Sequence, residues 1–314
     1  MNRAFFAVAL GVLLALAAGC GKDEPPGNGP PEAPPVFQLA WGDTGAASGD
    51  INLPYGVAVD AGGKIYEADW LNDRIQVFDA SGVYVRGFGA SGGGSGQFSG
   101  PEDIDFDSAG NVYVADWLNN RIQKFDSAGG FLTKWGELGS GDGQLNKPEG
   151  VAVDAAGSVY VSDTGNHRIQ KFTSAGGFLT KWGDSGTANG QFKFPIGIDV
   201  DASGNVYVAD SFNDRIQKFD SSGAFLLRWG GSGSGNGQLI GPEGVVVDAD
   251  GDVYVVDTNN NRVQKFTSSG GFLTVWGSSG AAPGQFKSPF SLVLNAQGEI
   301  FVSDTENNRI QKFK

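Results

Sequence analysis

The chain has 314 residues, and its 22 Lys and Arg against 35 Asp and Glu give a formal net charge of −13. So acidic a chain lacks the basic surface through which proteins bind the phosphates of nucleic acids. One Cys and one His exclude a disulfide framework, a Cys/His zinc cluster, a catalytic zinc site with three His ligands and a Cys/His nucleophile pair. Glycine contributes 51 residues, and because they recur periodically they predict tight turns.

The chain begins with the pattern of a secretory signal peptide, predicted over residues 1–19. Arg3 is followed by an apolar run over residues 4–18, which is shorter than the twenty or so residues that a spanning helix needs. The run leads into Ala17-Ala18-Gly19-Cys20, which resembles the bacterial lipobox, although Ala17 stands where Leu is usual. This resemblance implies that Cys20 is lipidated and becomes the first residue of the mature protein.

Residues 20–35 are predicted to form the lipidated Cys and a tether. Six prolines fall between Gly21 and Pro35, and the segment has no large apolar side chain, so we expect an extended tether that buries no core. The protein is then anchored in the bacterial cell envelope and meets the membrane through its lipid alone. Gly21 rather than Asp after the Cys favours the outer membrane, by the sorting rule that resemblance to enterobacterial lipoproteins implies.

Six units of 47 residues account for the chain from about residue 33 to residue 314, and the propeller itself is predicted over residues 36–314. The same Pro marks every unit, at Pro54, Pro101, Pro148, Pro195, Pro242 and Pro289. Within the third unit, strand signals fall at 149–154, 158–163, 168–172 and 177–183, separated by turns that carry Gly and Asx residues. Four short strands in a repeat of this length predict one blade of a β-propeller.

The two ends of the repeat region predict how the ring closes. The region begins with a fourth strand at 36–42 and ends with a third strand at 309–314. The N-terminal strand is therefore expected to complete the C-terminal blade, which leaves no unpaired edge at that junction. The predicted fold is all-β: a six-bladed β-propeller of four-stranded antiparallel blades.

The consensus of the unit, P-x-G-[VI]-x-V-D-x-x-G-x-[VI]-Y-V-[AS]-D-x-x-N-x-R-[IV]-Q-K-F, resembles the NHL repeat. This resemblance implies a six-bladed propeller, but it fixes no activity, because the family spans peptide-processing lyases, sensor domains of bacterial kinases and animal proteins that bind RNA or proteins. The lyases are similar to zinc enzymes with several His ligands, whereas this chain offers only His167. Its acidic charge likewise separates it from the RNA-binding members.

Each unit has an Asp that closes the second strand and an Arg that opens the third, such as Asp163 and Arg168, with an Asn between them. Because all six units share this set, we interpret it as framework, in which Arg crosses back to the carboxylate. His167 fills a slot held elsewhere by Asn or Asp and is interpreted as a surface residue of the hairpin. The acidic run at 248–252 is interpreted as a turn rather than a calcium loop.

Departures from the repeat indicate where a binding site would lie. After the hairpin Asp, the last four units have Thr or Ser, whereas the first two have Trp followed by Leu. Exposed side chains of this kind predict a patch that binds a protein, a peptide or a polysaccharide; packing of each Trp over its own hairpin is the alternative. The candidate binding residues are Trp70, Leu71, Trp117, Leu118 and Phe212 in the hairpins, and Tyr55 and Phe290 beside the repeat Pro.

Carboxylates also break the repeat at the predicted rim of the central channel. The innermost strand has Asp105 and Asp199 where other units have Ala or Val, and Glu102 and Glu149 stand beside the repeat Pro. Carboxylates in such positions need hydrogen bonds or a cation. They would either be satisfied by backbone and water or hold a divalent cation such as calcium.

The sequence therefore predicts a monomeric, lipid-anchored propeller that acts as a binding or protein-interaction platform. It predicts no catalytic residues, no nucleic-acid partner and no cofactor. The alternative is a metal-assisted lyase or lactonase-like enzyme with its site at the channel mouth. Near-identical blades and the lack of an evident nucleophile–base pair favour binding.

Overall fold

A computed structural model of the chain describes residues 32–314. The predicted signal peptide, Cys20 and the tether up to residue 31 lie outside the described residues. Within residues 32–314, 24 strands form six four-stranded antiparallel sheets, which confirms the predicted six-bladed propeller. In this part of the chain there is no helix with the length and apolar character needed to cross a membrane.

The strands of each blade follow chain order from the centre of the ring to its edge, with the sixth blade taking its outer strand from the N-terminus. Blades one to three comprise β2 (Pro54–Val59), β3 (Ile65–Asp69), β4 (Arg74–Phe78) and β5 (Tyr84–Phe88); β6 (Pro101–Phe106), β7 (Val112–Asp116), β8 (Arg121–Phe125) and β9 (Phe131–Trp135); β10 (Val151–Val153), β11 (Val159–Asp163), β12 (Arg168–Phe172) and β13 (Phe178–Trp182). Blades four to six comprise β14 (Pro195–Val200), β15 (Val206–Asp210), β16 (Arg215–Phe219) and β17 (Phe225–Gly230); β18 (Pro242–Val247), β19 (Val253–Asp257), β20 (Arg262–Phe266) and β21 (Phe272–Trp276); β22 (Pro289–Leu294), β23 (Ile300–Asp304), β24 (Arg309–Phe313) and β1 (Phe37–Trp41).

The N-terminal strand closes the ring as predicted. β1 pairs antiparallel with β24, with Phe37 opposite Phe313 and Trp41 opposite Ile310. Beyond these strands, Val36 and Lys314 exchange two backbone hydrogen bonds of 2.8 and 3.0 Å. The last blade therefore has the same four strands as the others, and no blade is left with an unpaired third strand.

The core lies between adjacent blades. The second strand of every blade is buried along its whole length, as in β11, because neighbouring blades cover both of its faces. Tyr113 of the second blade, for example, packs with Val159 and Phe172 of the third. Each such side chain contributes about 1.5–3 kcal/mol when it leaves water. Neighbouring blades also pack closely at their outer hairpins. Gly176 has φ +87°, and a Cβ there would lie only 2.6 Å from the Trp135 ring of the preceding blade, so a larger residue would clash.

A repeated polar network fixes the hairpin between the second and third strands. In the third blade, Asp163 accepts hydrogen bonds from Asn166 and from Arg168 Nε, the latter at 2.6 Å. The Arg168 guanidinium also donates to three backbone carbonyls of the preceding loop, those of Ser140, Gly141 and Gln144. The Asp and Arg of each unit are therefore framework, as predicted.

The two faces of the ring carry different connections. Because consecutive strands are antiparallel, the hairpins between second and third strands open on the same face as the loops between blades. We call this the hairpin face and its opposite the rear face. In five blades this hairpin contains a single turn of 3-10 helix, at Trp70–Asn72, Thr164–Asn166, Ser211–Asn213, Thr258–Asn260 and Thr305–Asn307. In the second blade a hydrogen-bonded turn spans 117–120 instead.

The N-terminal segment approaches the ring at the rear face. The backbone N–H of Glu32 donates to Leu273 O at 3.1 Å, near the rear end of β21. The Glu32 carboxylate lies 2.8 Å from Lys265 Nζ, and this amine also contacts Asp252 in a rear-face turn. The first described residue, Glu32, therefore lies on the side away from the hairpins.

Candidate functional site

An apolar cluster lies over the central channel at the hairpin face. Its members are 5–7% exposed and come from four blades: Tyr55, Trp70, Trp117, Ile196 and Phe290. The rings of Tyr55 and Trp70 stack at 5.3 Å, and Trp70 contacts Trp117 at 5.9 Å. Tyr55 also contacts Phe290 at 4.4 Å. We call this cluster the aromatic floor.

The prediction that Trp70 and Trp117 are exposed was wrong, since they are 6% and 7% exposed. Their slot turns inward, toward the next blade: in the third blade it holds Thr164, which is 2% exposed and donates from Oγ1 to Pro195 O at 2.7 Å. A Trp in this slot packs across blades into the floor rather than over its own hairpin. The indole N–H of Trp70 donates to Glu102 Oε1 at 3.1 Å.

Exposed apolar side chains surround the floor. Leu71, Leu118 and Phe212, each one residue past the inward slot, are 49%, 47% and 61% exposed. Phe194, which the sequence analysis did not single out, is 38% exposed, and its ring lies 4.9 Å from that of Phe212. We call these four residues the apolar rim. Lys147 stands beside them, with Nζ 5.2 Å from the centre of the Trp117 ring.

Comparison of the six units could have identified Phe194 as an unusual residue. It precedes the repeat Pro at a position where the backbone has positive φ in every unit, +53° at Phe194 itself. Two units place Gly there, Gly100 and Gly241, which adopt this conformation at no steric cost. A bulky aromatic residue in a left-handed conformation is uncommon, and here its ring is held outward over the face.

The channel below the floor is lined by carboxylates that are bound to backbone. Val153 N donates to Asp105 Oδ2 and Val247 N to Asp199 Oδ2, each at 2.7 Å, and Val151 N donates to Asp103 Oδ2 at 3.0 Å. These donors lie on the innermost strand of the following blade, at an edge that no other strand pairs. The carboxylates thus satisfy edge N–H groups.

Burial sets the protonation of these groups. Desolvation raises the pKa of Asp103 to about 7 and that of Asp199 to about 6. The pKa of Asp105 is raised well above its usual range, first by desolvation and then by the nearby charge of Asp199. The channel cavity measures about 120 Å³ and is also lined by Glu149 and Glu243. Partial protonation at neutral pH limits the negative charge that accumulates in it.

The four predicted metal ligands do not form a site. Across residues 32–314, no three Asp, Glu, His or Cys side chains are grouped so as to hold a metal ion. Asp105 and Asp199 are engaged with the backbone of neighbouring blades, and Glu102 with the indole of Trp70. Glu149 contributes to the channel wall. Of the two alternatives that the sequence left open, satisfaction by backbone is the one found for Asp105 and Asp199, and among residues 32–314 Glu102, Asp105, Glu149 and Asp199 are not grouped as ligands of one ion.

Six four-stranded sheets in a ring define this protein as a six-bladed β-propeller. The aromatic floor and the apolar rim lie on its hairpin face. Five segments match the family model of the NHL repeat, at residues 98–125, 145–172, 192–219, 239–266 and 286–313. The chain is therefore an NHL-repeat protein. A comparison with curated proteins finds no chain of similar sequence.

Solved structures share the architecture. A streptogramin B lyase superposes with a TM-score of 0.64 at 16% identity, over 88% of this chain and 96% of that one. An auxiliary nutrient binding protein from Bacteroides ovatus gives 0.63 at 18% identity, over 88% and 72%. Virginiamycin B lyase from Staphylococcus aureus gives 0.57 at 16%, over 82% and 79%. At these identities the likeness concerns the fold alone.

Proposed function

We propose that this protein is a lipid-anchored propeller of the bacterial cell envelope that binds a protein or peptide on its hairpin face, without catalysing a reaction. The observation that carries this proposal is the apolar rim. Leu71, Leu118 and Phe212 project 47–61% of their surface into solvent from short, tightly hydrogen-bonded hairpins. Large apolar side chains held on a rigid surface are typical anchors for a protein partner.

The burial of the two Trp residues favours a polypeptide over a polysaccharide. Sugar rings stack on the open faces of aromatic side chains, and Trp70 and Trp117 are nearly covered. Leu71 and Leu118 instead follow directly after these buried Trp residues, so their backbone is held in place and has little freedom to lose on binding. Aliphatic and aromatic side chains of a partner fit such a surface.

The entry point of the chain agrees with an anchored platform. Glu32 lies at the rear face, bound to Leu273 O and Lys265. A lipid on Cys20 would therefore hold the rear face toward the membrane and turn the hairpin face away from it. The tether that the sequence predicts gives that face room to meet a partner.

The structural neighbours allow binding as well as catalysis, since they include nutrient binding proteins and lyases. For the alternative, a metal-assisted lyase or lactonase-like enzyme, the sequence offered four carboxylates. Among the described residues these are not grouped as ligands, and two of them are bound to backbone N–H groups. The rim is thus the better supported site.

The test is a crosslinking pull-down from native envelopes with a rim variant, Leu71→Ser, Leu118→Ser and Phe212→Ser. The matched control replaces three residues of the outer strands that are equally exposed, Leu132→Ser, Leu179→Ser and Leu226→Ser, which are 47–50% exposed. We expect the rim variant to capture its specific partner about tenfold less well, as the loss of anchor residues does in other interfaces. The control should capture it normally.

Capture that is unchanged in the rim variant, or equally lost in the control, would contradict a site on the rim. The anchor is tested separately with Cys20→Ser, which should release the protein from the membrane and abolish its labelling by a fatty-acid analogue. If Cys20→Ser stays with the membrane, the anchor is wrong, whatever the pull-down shows.

A further inference from the structure

One buried carboxyl group is out of place in the repeat. Glu67 lies in β3 at a position where the other five blades have Val: Val114, Val161, Val208, Val255 and Val302. Its side chain is 0% exposed, and among the described residues neither of its carboxyl oxygens has a hydrogen-bond partner. The side chain of Gln76, opposite Glu67 on β4, has only a small lowering effect on the pKa of Glu67, because its amide N–H groups donate to Asp50 O and Asp69 Oδ2.

Glu67 faces the blade that closes the ring. It shares one side of β3 with Ile65, which packs against Phe301 and Ile310 of the sixth blade. This interface is the one place where blade contacts join the C-terminal strands β22–β24 to the first blade. At this junction the chain runs from β1 into the first blade, and β1 is held to β24 by strand pairing alone.

The surroundings of Glu67 offer its charge little compensation. On its own blade, Asp69 and Arg74 lie near it, and they form an ion pair with each other at 2.7 Å. β2 carries no charged residue. On the sixth blade, β23 and β24 turn the uncharged residues Phe301, Ser303 and Ile310 toward this side, and Ser303 Oγ donates to Ser291 O. Lys312 of β24 also reaches the first blade, but its Nζ donates to Ala80 O at 3.2 Å and is paired with Glu299 Oε1 at 2.9 Å.

We propose that Glu67 makes the closure of the ring depend on protonation: the first blade and β22–β24 stay together while its carboxyl group is neutral, and they separate when it ionises. A neutral carboxyl group is tolerated in an apolar interface, whereas a carboxylate without hydrogen bonds is strongly disfavoured there. Water reaches the carboxylate only if the interface opens. The five blades with Val at this position have no such group.

The direction of the effect follows from linkage. Burial, reinforced by the charge of Asp69, raises the pKa of Glu67 well above its usual range. A carboxyl group with a higher pKa in the closed ring favours closure at low pH, and this contribution is lost as the pH rises through the raised value. Asp103, Asp105 and Asp199 titrate with the same sign, but they act at the junctions after the second and fourth blades. Asp69 beside Glu67 also has a raised pKa, and it is common to the natural chain and to every variant of Glu67.

The test compares the natural chain with Glu67→Gln, which keeps the size and cannot ionise, and Glu67→Val, which restores the residue of the other blades. Hydrogen exchange of backbone amides, corrected for the intrinsic effect of pH, is followed at pH 5 and pH 9. In the natural chain we expect amides of β1 and β24 to exchange about tenfold faster at pH 9 than those of β12 and β16. Both variants should lose this difference.

Two results would overturn the proposal. One is the same alkaline acceleration at β1 and β24 in both variants, which would assign it to other groups. The other is an acceleration that vanishes in the variants equally from all blades, which would show general destabilisation rather than opening at this interface. Because Glu67→Val carries the residue that five blades already tolerate, it provides a folded comparison even if Glu67→Gln is poorly stable.

Discussion

At the scale of single residues, one hydrogen bond between neighbouring blades recurs around the ring. In each blade, the residue just before the Arg of the third strand has a side chain that accepts a hydrogen bond. The donor is the backbone N–H of the residue that precedes the repeat Pro of the next blade. The acceptors are Asp73, Asn120, His167, Asp214, Asn261 and Asn308, at 2.8–3.0 Å. His167 accepts from Phe194 N through Nδ1, so its ring must be unprotonated at that nitrogen.

His167→Asn tests this role. Desolvation lowers the pKa of His167 more than the nearby charge of Asp210 raises it, and Lys193 lowers it further, so the folded chain favours the neutral ring. The stabilisation is present above the usual pKa of about 6.5 and is lost as the pH falls through the lowered value. We expect the natural chain to lose a few tenths to about 1 kcal/mol more than His167→Asn between pH 7.5 and pH 5.

Urea unfolding at the two pH values measures this difference, since every other titrating group is common to both proteins. A pH profile that is unchanged by His167→Asn would show that the bond to Phe194 N contributes nothing to the junction of the third and fourth blades. His167→Ala serves as a second comparison, because it lacks the acceptor at both pH values.

At the scale of elements, the repeat predicted what each blade encodes locally. The strands, their turns and the Asp–Asn–Arg hairpin recur six times, so their framework role followed from the sequence. The orientation of the slot after the hairpin Asp did not, because it depends on how the blades converge on the ring axis. The other four blades fill this slot with a small hydroxyl residue, and Thr164, Ser211, Thr258 and Thr305 are all 5% exposed or less. The small size of these residues was the sequence feature that indicated an enclosed slot.

The channel carboxylates show the same limit. Asp105 and Asp199 were recognised as departures that need hydrogen bonds, and they do have them. Their donors lie 48 residues further along the chain, on another blade, and only the closed ring brings the two together. The repeat pattern was enough to identify Asp105 and Asp199. That their partners are backbone N–H groups of the next blade depends on how the closed ring places neighbouring blades.

The N-terminal strand provides the test at this scale. Removing residues 32–41 leaves β24 unpaired and deletes Trp41, whose ring contacts Phe78 and Phe301 at 6.0 Å. Loss of a packed Trp alone costs about 3–5 kcal/mol, so we expect a large drop in the melting temperature. Removing only residues 32–35 deletes the exposed Glu32–Lys265 ion pair and should cost at most about 1 kcal/mol. Equal melting of the two truncated chains would contradict closure by β1.

At the scale of the whole molecule, the period of 47 residues and the register of its ends were enough to predict the number of blades and the way the ring closes. The reason is that every blade solves the same packing problem with nearly the same residues. The candidate binding residues are among the few positions that differ, and the rim and the aromatic floor gather on the hairpin face. A repeat protein thus reveals its fold in what recurs and its candidate site in what does not.

The ring also predicts that the position of the chain ends is interchangeable among blades. In the third blade, five residues at 173–177 connect Phe172 to Phe178, and in the sixth blade Phe313 and Phe37 hold the equivalent places without a connection. A permuted chain can join Lys314 to Val36 through Ser-Ala-Gly and begin anew between Ser174 and Ala175. Every strand then keeps its partners, while the break moves from the sixth blade to the third.

We expect this permuted chain to unfold within about 1 kcal/mol of a parent that starts at residue 32, because both exchange one short connection for another and the entropy of a loop varies slowly with its length. Chemical denaturation measures the difference. A permuted chain that folds but is several kcal/mol less stable would mean that the sixth blade is specialised for closure. Equal stability would mean that closure is a property of the ring, which any blade can supply with two paired strands from opposite ends of the chain.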